Sequence, residues 1–150
     1  MSDERREAPQ SLVYEGRKEL LHECVRLAGE LDSIMDRIEA LRTRYTMPVI
    51  VYDDMPHGSG RVHDLSEYAA ALDSLHRKYM RKATAYFKVY REVLDILEYS
   101  DLTTDEELIL RYRFILRKKW AAIADVTNKD IRHCYRILNK GMSKFIGTGQ

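Results

Sequence analysis

A heptad pattern of apolar residues runs through the first third of the chain. From Leu20 to Tyr45 these residues recur at alternating spacings of four and three, which is the 3.5-residue period of a coiled-coil seam. The intervening positions are mostly charged, so only one narrow stripe requires burial. The pattern predicts a helix from about Ser11 to Tyr45, roughly 50 Å long at about 1.5 Å per residue, that needs a partner. The seam consists of Leu20, Cys24, Leu27, Leu31, Ile34, Ile38, Leu41 and Tyr45.

A second run with the same period follows and supplies that partner. It extends from Leu65 to Leu97, with His76 as its single polar interruption, and Asp64 is placed to cap its start. Two helices of similar length in sequence order fold back readily as an antiparallel hairpin, here over residues 11–100. The seam of the second helix consists of Leu65, Ala69, Leu72, Tyr79, Ala83, Tyr86, Tyr90, Val93 and Leu97.

The predicted connection, residues 46–63, reads "TMPVIVYDDMPHGSGRVH". Its two prolines lack a backbone donor and fix φ, which predicts a loop. It also contains oxygen and nitrogen groups of the kind that bind metals, but they show no repeated ligand spacing, so the sequence predicts neither a metal nor any other cofactor. Those groups belong to Asp53, Asp54, His57 and His63.

The second helix carries more apolar residues than one partner helix requires. This surplus predicts a second buried surface, either a homodimer interface through the hairpin or a dock for the C-terminal segment, and a homodimer is the favoured interpretation. The surplus residues are Leu75, Met80, Phe87 and Leu94.

The C-terminal residues 101–146 predict a compact three-helix domain, with short tails at 1–10 and 147–150. Thr104 followed three residues later by Glu107 fits a capping box, so a helix is expected from Asp105. That helix is expected to bury an apolar stripe and to end near Arg117 to Lys119. The stripe is Leu108, Ile109, Tyr112 and Ile115.

Two further helices with a polar break between them are spaced like a helix-turn-helix. The first, Trp120 to Val126, is expected to bury Trp120, Ile123 and Ala124. Asn128 tolerates the left-handed turn conformation, and Asp130 is expected to cap a helix over about 130–144. The expected buried face of that last helix is Cys134, Ile137, Leu138, Met142 and Phe145.

The charge distribution distinguishes this segment from the rest of the chain. Residues 111–150 contain ten Lys or Arg and two Asp or Glu, whereas residues 1–110 contain fifteen and twenty-two. A total charge of +1 therefore combines a segment of +8 with one of −7. Such an asymmetry is typical of a chain whose basic end binds a polyanion.

The side chains expected on the exposed face of the last helix are of the types that a DNA-recognition helix needs. Arg can bond two acceptors on a guanine edge and Asn can do the same on adenine, whereas Lys is suited to phosphate. The predicted base-side residues are Arg132, His133, Arg136 and Asn139. The predicted phosphate-side residues are Lys118, Lys119, Lys129 and Lys140, with Lys144 as a further candidate.

The stretch "RFILRKKWAAIADVTNKDIRHCYRILNKGMSKF" resembles the C-terminal domain of phage and prophage regulators of the ArpU late-operon activator type. Through them it is similar to the sigma-70 domain that reads the −35 promoter element. The loop "DMPHGSG" resembles one in a phage family of unassigned function with a hairpin followed by a helix-turn-helix. Together the resemblances cover most of residues 14–146. The matching positions in the first stretch are Lys118, Trp120, Ile123, Ala124, Asp130, Arg132, His133, Cys134, Tyr135 and Arg136.

The chain departs from that pattern at several positions. Arg117 replaces the favoured Gly, Lys119 replaces a Thr or Ser cap, and Thr127 replaces a core Leu. An acidic pair is replaced by Ala121 and Ala122. The first turn is therefore less sharply specified than in the resembling proteins.

The resemblance and the basic face together imply a sequence-specific double-stranded DNA-binding regulator of phage or prophage genes. One alternative is a sigma-like protein that binds RNA polymerase or another phage factor without reading DNA. A phage packaging component of the small-terminase type is a further alternative, since such proteins also join a helix-turn-helix to helical oligomerisation parts.

Other function classes find little support in the sequence. There is no glycine-rich phosphate loop and no nucleophile with an evident base, so the chain is not expected to be an enzyme. No apolar run approaches the roughly 20 residues that span a membrane, and the charged start is unlike a signal peptide, which predicts a cytoplasmic protein. The two cysteines, Cys24 and Cys134, lie at apolar helical positions and are expected to be buried free thiols.

Overall fold

All regular secondary structure in the described part of the chain is helical. A computed structural model describes the backbone of residues 10–46 and 60–147, and the side chains within residues 16–45 and 65–147. No strand occurs in those ranges, which confirms the predicted all-α class for them. The helices are α1 (Gln10–Thr46), α2 (Gly60–Tyr99), α3 (Thr104–Leu110), α4 (Trp120–Thr127) and α5 (Ile131–Ile146).

The start of α2 differs from the prediction. The helix begins at Gly60 rather than after Asp64, so Asp64 is not its capping residue. Residues 61–63 contain neither proline nor glycine, so nothing in them prevents the helix from extending back to Gly60. Thr46 likewise belongs to α1, so both ends of the predicted loop 46–63 are helical. The rest of that loop, residues 47–59 with Asp53, Asp54 and His57, lies outside the described residues.

The described residues fall into two compact units, and the smaller one, Leu27–Ala85, is built from parts of α1 and α2. Within it the Tyr45 and Tyr68 rings lie 4.4 Å apart between centroids, and Lys82 Nζ lies 2.7 Å from Glu30 Oε2. In this unit the predicted α1 seam is buried from Leu27 to Ile38, as expected for a heptad stripe with a partner, and is half-buried at Leu41 and Tyr45. Its buried residues are Leu27, Ala28, Leu31, Ile34 and Ile38.

The other unit joins the chain up to Arg26 with the chain from Tyr86 onward. Its main core brings together the first part of α1, the last part of α2, and α3 and α5. The boundary expected at residue 101 therefore falls inside a single packed unit. The fully buried residues of this main core are Leu21, Cys24, Val93, Leu97, Leu110 and Phe145.

A second, smaller core lies in the same unit beneath α4. Ile109 of α3, Ile123 of α4 and Cys134 of α5 are each 0% exposed. Leu138 packs against both this cluster and the main core. Because α3 contributes Ile109 to one core and Leu110 to the other, it is buried on two sides. The sequence predicted burial only on the side of Ile109. The other three residues of the predicted stripe, Leu108, Tyr112 and Ile115, are half-buried.

A change of helical period explains why the simple stripe fails beyond α3. Residues Arg111–Ile115 continue the chain as a π-helical turn, in which the amide of Leu116 donates to the carbonyl of Arg111 at 2.9 Å. The wider turn rotates later side chains away from the positions expected for an α-helix. The turn ends at Ile115, and two residues later Arg117 has a left-handed φ of 52°.

The capping box of α3 lies one residue earlier than predicted. Thr103, not Thr104, caps the helix, and its side chain accepts from the amide of Glu106 while Glu106 Oε2 accepts from the Thr103 amide at 3.0 Å. The sequence "TTDEE" satisfies both registers. In the observed register Glu106 points inward, where Lys144 of α5 lies 2.9 Å from its carboxylate.

The Glu106 carboxylate is buried, with its residue only 5% exposed. Burial by itself raises the pKa of this group, but hydrogen bonds from Lys144 and from the Thr103 amide outweigh burial and lower the pKa below its ordinary value. The carboxylate is therefore ionised in the folded protein, and it links α3 to α5.

Replacing Glu106 with Gln is expected to lower the free energy of unfolding by about 1–2 kcal/mol near neutral pH, because Gln keeps an acceptor but loses the charge facing Lys144. Since the folded pKa is the lower one, the carboxylate stabilises the fold above the unfolded pKa, and this contribution disappears as the pH falls through the folded pKa. Urea denaturation at neutral and acidic pH measures both effects.

The matched control is Glu107→Gln, which removes an exposed pair to Arg111 at 2.9 Å and is expected to change stability by less than about 0.5 kcal/mol. Equal losses in the two variants, or a Glu106→Gln loss that persists in acid, contradict the assignment.

Candidate nucleic-acid interface

The segment between α4 and α5 reverses the chain in three residues. Asn128 adopts the left-handed conformation, with φ 52° and ψ 42°, and its amide donates to the end of α4. The amide of Lys129 donates to the carbonyl of Ala124 at 3.1 Å. Asp130 is the extended N-cap of α5, as predicted, although its side chain makes no capping hydrogen bond.

Contacts on both sides of this connection hold the two helices together. The Thr127 hydroxyl donates to the carbonyl of Ile123 at 2.7 Å and lies 3.6 Å from the Cys134 sulfur of α5. At the other end of α4, the Trp120 ring lies 4.2 Å from the Tyr135 ring between centroids. Neither the contact of Thr127 with Cys134 nor that of Trp120 with Tyr135 has a local signal in the sequence, since each joins residues of different helices.

The same indole also anchors the turn that precedes α4. The Arg113 guanidinium lies 5.0 Å from the centre of the Trp120 ring, and Arg113 Nη1 donates to the carbonyl of Lys118 at 3.1 Å. Cation–π and hydrogen-bond contacts therefore fix Arg113 against the protein. This arginine is a structural residue and faces the start of α4.

The open face of α5 contains the residues predicted for it. The spacing of these residues places them on one side of the helix, opposite the buried Cys134, Gly141 and Phe145. Gly141 permits the close approach of α5 to α3, because a Cβ there would lie 3.2 Å from Leu110 Cδ1. The exposed residues are Arg132, His133, Arg136, Asn139 and Lys140.

The electrostatics of this face are strongly positive. The sequence of α5 contains no Asp or Glu. Among the described residues no ion pair forms at Arg132, Arg136 or Lys140. These three charges are therefore exposed and available to an anionic ligand.

The remaining predicted cations are distributed differently. Lys119 is exposed at the N-cap of α4, where it makes no side-chain capping bond. Lys118 lies with Nζ 5.1 Å from the centre of the Tyr112 ring, and Lys129 lies 3.4 Å from Asp105. Lys144, a further phosphate candidate from the sequence, instead pairs with the buried Glu106. Its partner is far away in sequence, so the pairing left no local signal.

The described residues offer little for other chemistry. They contain no group of three or more His, Cys, Asp or Glu placed to hold a metal ion. Both cysteines are buried and free, as predicted, and burial, opposed by the Tyr86 hydrogen bond, raises the pKa of the Cys24 thiol. A raised pKa keeps that thiol protonated and unreactive near neutral pH. Within the same residues, no helix is both long and apolar enough to cross a bilayer.

Comparisons with protein-family models, with curated proteins and with solved structures each gave no match to this chain.

The left-handed backbone at position 128 gives a test of the connection. Asn128→Ala is expected to lose about 1 kcal/mol of folding free energy, because a Cβ without a local hydrogen-bonding group is disfavoured there. Asn128→Gly, the matched variant, is expected to be as stable as the parent or slightly more so. Guanidinium denaturation compares the three proteins. Equal losses in Ala and Gly would show that the Asn side chain, not the backbone conformation, determines stability.

Proposed function

We propose that the chain binds double-stranded DNA through a helix-turn-helix formed by α4 and α5, and that it regulates transcription of phage or prophage genes. One observation carries the proposal. The exposed face of α5 presents Arg132, Arg136 and Lys140 without ion pairs among the described residues, and the helix has no carboxylate to oppose them. The resemblance to ArpU-type regulators supports the choice of promoter DNA as the ligand.

The dimensions of α5 suit this role. Its 16 residues make a helix of roughly 24 Å, and the major groove of B-DNA admits one α-helix. We assign Arg132, His133, Arg136 and Asn139 to base edges. We assign Lys119 and Lys140 to phosphates, with Lys118 and Lys129 at the margin because each already contacts a protein group.

We further propose that α1 and α2 form an antiparallel hairpin that recruits a partner. Tyr45 contacts Tyr68, and Glu30 contacts Lys82. A late residue of α1 therefore contacts an early residue of α2, and an earlier residue of α1 contacts a later residue of α2, which is the pattern of antiparallel helices. Of the surplus apolar residues on α2, Met80 and Phe87 stay exposed, at 64% and 57%. A second copy of the chain is our preferred partner, and RNA polymerase is the other.

An alternative is a sigma-like interaction protein that binds polymerase without reading DNA, and one observation favours it. Apolar side chains flank the connection, with Val126 52% and Ile131 42% exposed. Exposed apolar residues beside a polar face are typical of protein-binding surfaces. Retention of polymerase by the purified chain, with no retention of promoter DNA, would support this alternative.

A packaging role predicts ring-sized oligomers in light scattering. Under every one of these hypotheses the chain acts by binding rather than by catalysis.

The double variant Arg132→Ala with Arg136→Ala tests the DNA-binding proposal. Each arginine is expected to contribute about 1–3 kcal/mol to discrimination between bases, so the pair should cost roughly thirtyfold or more in affinity for the preferred site. Fluorescence anisotropy on a duplex selected from random DNA measures the loss. The salt dependence of binding should also become shallower.

The matched control removes two exposed cations from α1, with Lys18→Ala and Arg26→Ala, and is expected to bind like the parent. Unchanged affinity and salt dependence in the α5 variant, or an equal loss in the control, would contradict the assignment of α5.

A further inference from the structure

A second concentration of positive charge lies on α2, within a chain segment that is acidic overall. Between Ser74 and Arg91 the sequence contains six Lys or Arg and no Asp or Glu. The first four of these cations belong to the unit Leu27–Ala85, where Arg37 of α1 joins them. We call this group the basic strip, and it consists of Arg37, Arg77, Lys78, Arg81 and Lys82.

The helical spacing and one groove define the strip. Arg77 and Arg81 are one turn apart on α2, as are Lys78 and Lys82, so the four cations occupy adjacent parts of one helix side. A groove of about 260 Å³ between α1 and α2 is lined by Arg37, Lys78 and Lys82 together with Glu30, Ser33 and Ile34. Helix α1 thus extends the positive surface beyond α2.

Two of the five charges are already neutralised. Lys82 pairs with Glu30 at 2.7 Å, and Arg77 pairs with Asp73 at 2.8 Å. Arg37, Lys78 and Arg81 are exposed and form no ion pair with any described residue. Three cations therefore remain on one surface without an ion-pair partner among the described side chains.

The residues around these cations are suited to an extended anion rather than a small one. Small side chains at Ala70, Ser74 and Ala85 lie on the same side of α2 and leave the long cationic side chains free to reach outward. Glu30 Oε2, a buried polar atom of the groove lining, is already paired with Lys82 Nζ. Several cations spread along a helix can neutralise several phosphates of a nucleic-acid backbone, which carries a charge at every nucleotide.

We propose that the basic strip binds the phosphate backbone of double-stranded nucleic acid independently of base sequence. The strip and α5 use different residues, so either surface can bind nucleic acid whether or not the other does. The strip adds affinity, whereas reading of bases is assigned to α5. Cation contacts to phosphate oxygens position a duplex but carry no information about its base sequence.

The test is the triple variant Arg37→Gln, Lys78→Gln and Arg81→Gln, measured by anisotropy on a random-sequence duplex and on a selected duplex across a salt series. Three lost phosphate contacts should reduce the slope of log K against log salt by about two to three and lower affinity at low salt at least about tenfold. Both duplexes should be affected equally.

The control is the triple variant Lys18→Gln, Arg26→Gln and Arg44→Gln. It removes three exposed charges outside the strip and should bind like the parent. Circular dichroism confirms that each variant is folded.

The outcomes separate this proposal from the assignment of α5. An unchanged slope in the strip variant, or the same change in its control, overturns the strip. If the strip variant loses affinity while Arg132→Ala with Arg136→Ala has no effect, the strip is supported and the α5 assignment fails. Failure of the parent chain to bind any duplex, including retention only on vesicles of anionic phospholipid, overturns both.

Discussion

The seating of α5 on α3 determines which side chains the C-terminal unit presents. Phe145 is fully buried in the main core, Cys134 in the smaller one, and Gly141 allows the two helices to approach closely. The ion pair between Lys144 and the buried Glu106 adds a charged contact whose geometry is tied to the α3 capping box. Once that side of α5 is fixed, the opposite side is fixed as well, and it carries the arginines.

A division among the cations follows from this packing. Lys144, Lys129 and Arg113 are tied to protein groups, whereas Arg132, Arg136 and Lys140 stay exposed. A cation that is paired with a protein group is withdrawn from ligand binding, whether or not the pair stabilises the fold. The total of ten basic residues in 111–150 therefore overstates the positive charge available to a ligand. The three exposed cations of α5 indicate where DNA would bind under the proposed function.

Local patterns allowed several features to be predicted. The heptad stripe of α1 is buried from Leu27 to Ile38, because a 3.5-residue period acts over neighbouring turns. The amphipathic pattern of α5 likewise predicted the buried Cys134 and Phe145 and the exposed Arg132 and Arg136, whereas Ile137, Leu138 and Met142 are half-buried and the buried Gly141 was not predicted. The left-handed Asn128 and the N-cap position of Asp130 follow from residue preferences at single positions.

Features that depend on distant partners could not be predicted in the same way. The capping register of α3 is ambiguous in "TTDEE", and only contact with Lys144 explains why Glu106 is the buried member. Leu110, next to the predicted Ile109, is buried because α1, α2 and α5 pack on the other side of α3, and the π-helical turn at Arg111–Ile115 changes the helical period beyond it. The paired state of Lys129 depends on Asp105, and the basic strip emerges only when Arg37 of α1 is placed beside α2.

We propose that the exposed face of α5 binds DNA. The most direct test is to map the changes in backbone amide chemical shifts while the protein is titrated with a selected duplex. We expect the largest shift changes of the C-terminal unit in the connection between α4 and α5 and along Ile131 to Lys140. We expect little change around the buried Phe145. Changes that spare this stretch while appearing elsewhere in the unit, or no saturable change at any duplex concentration, would contradict it.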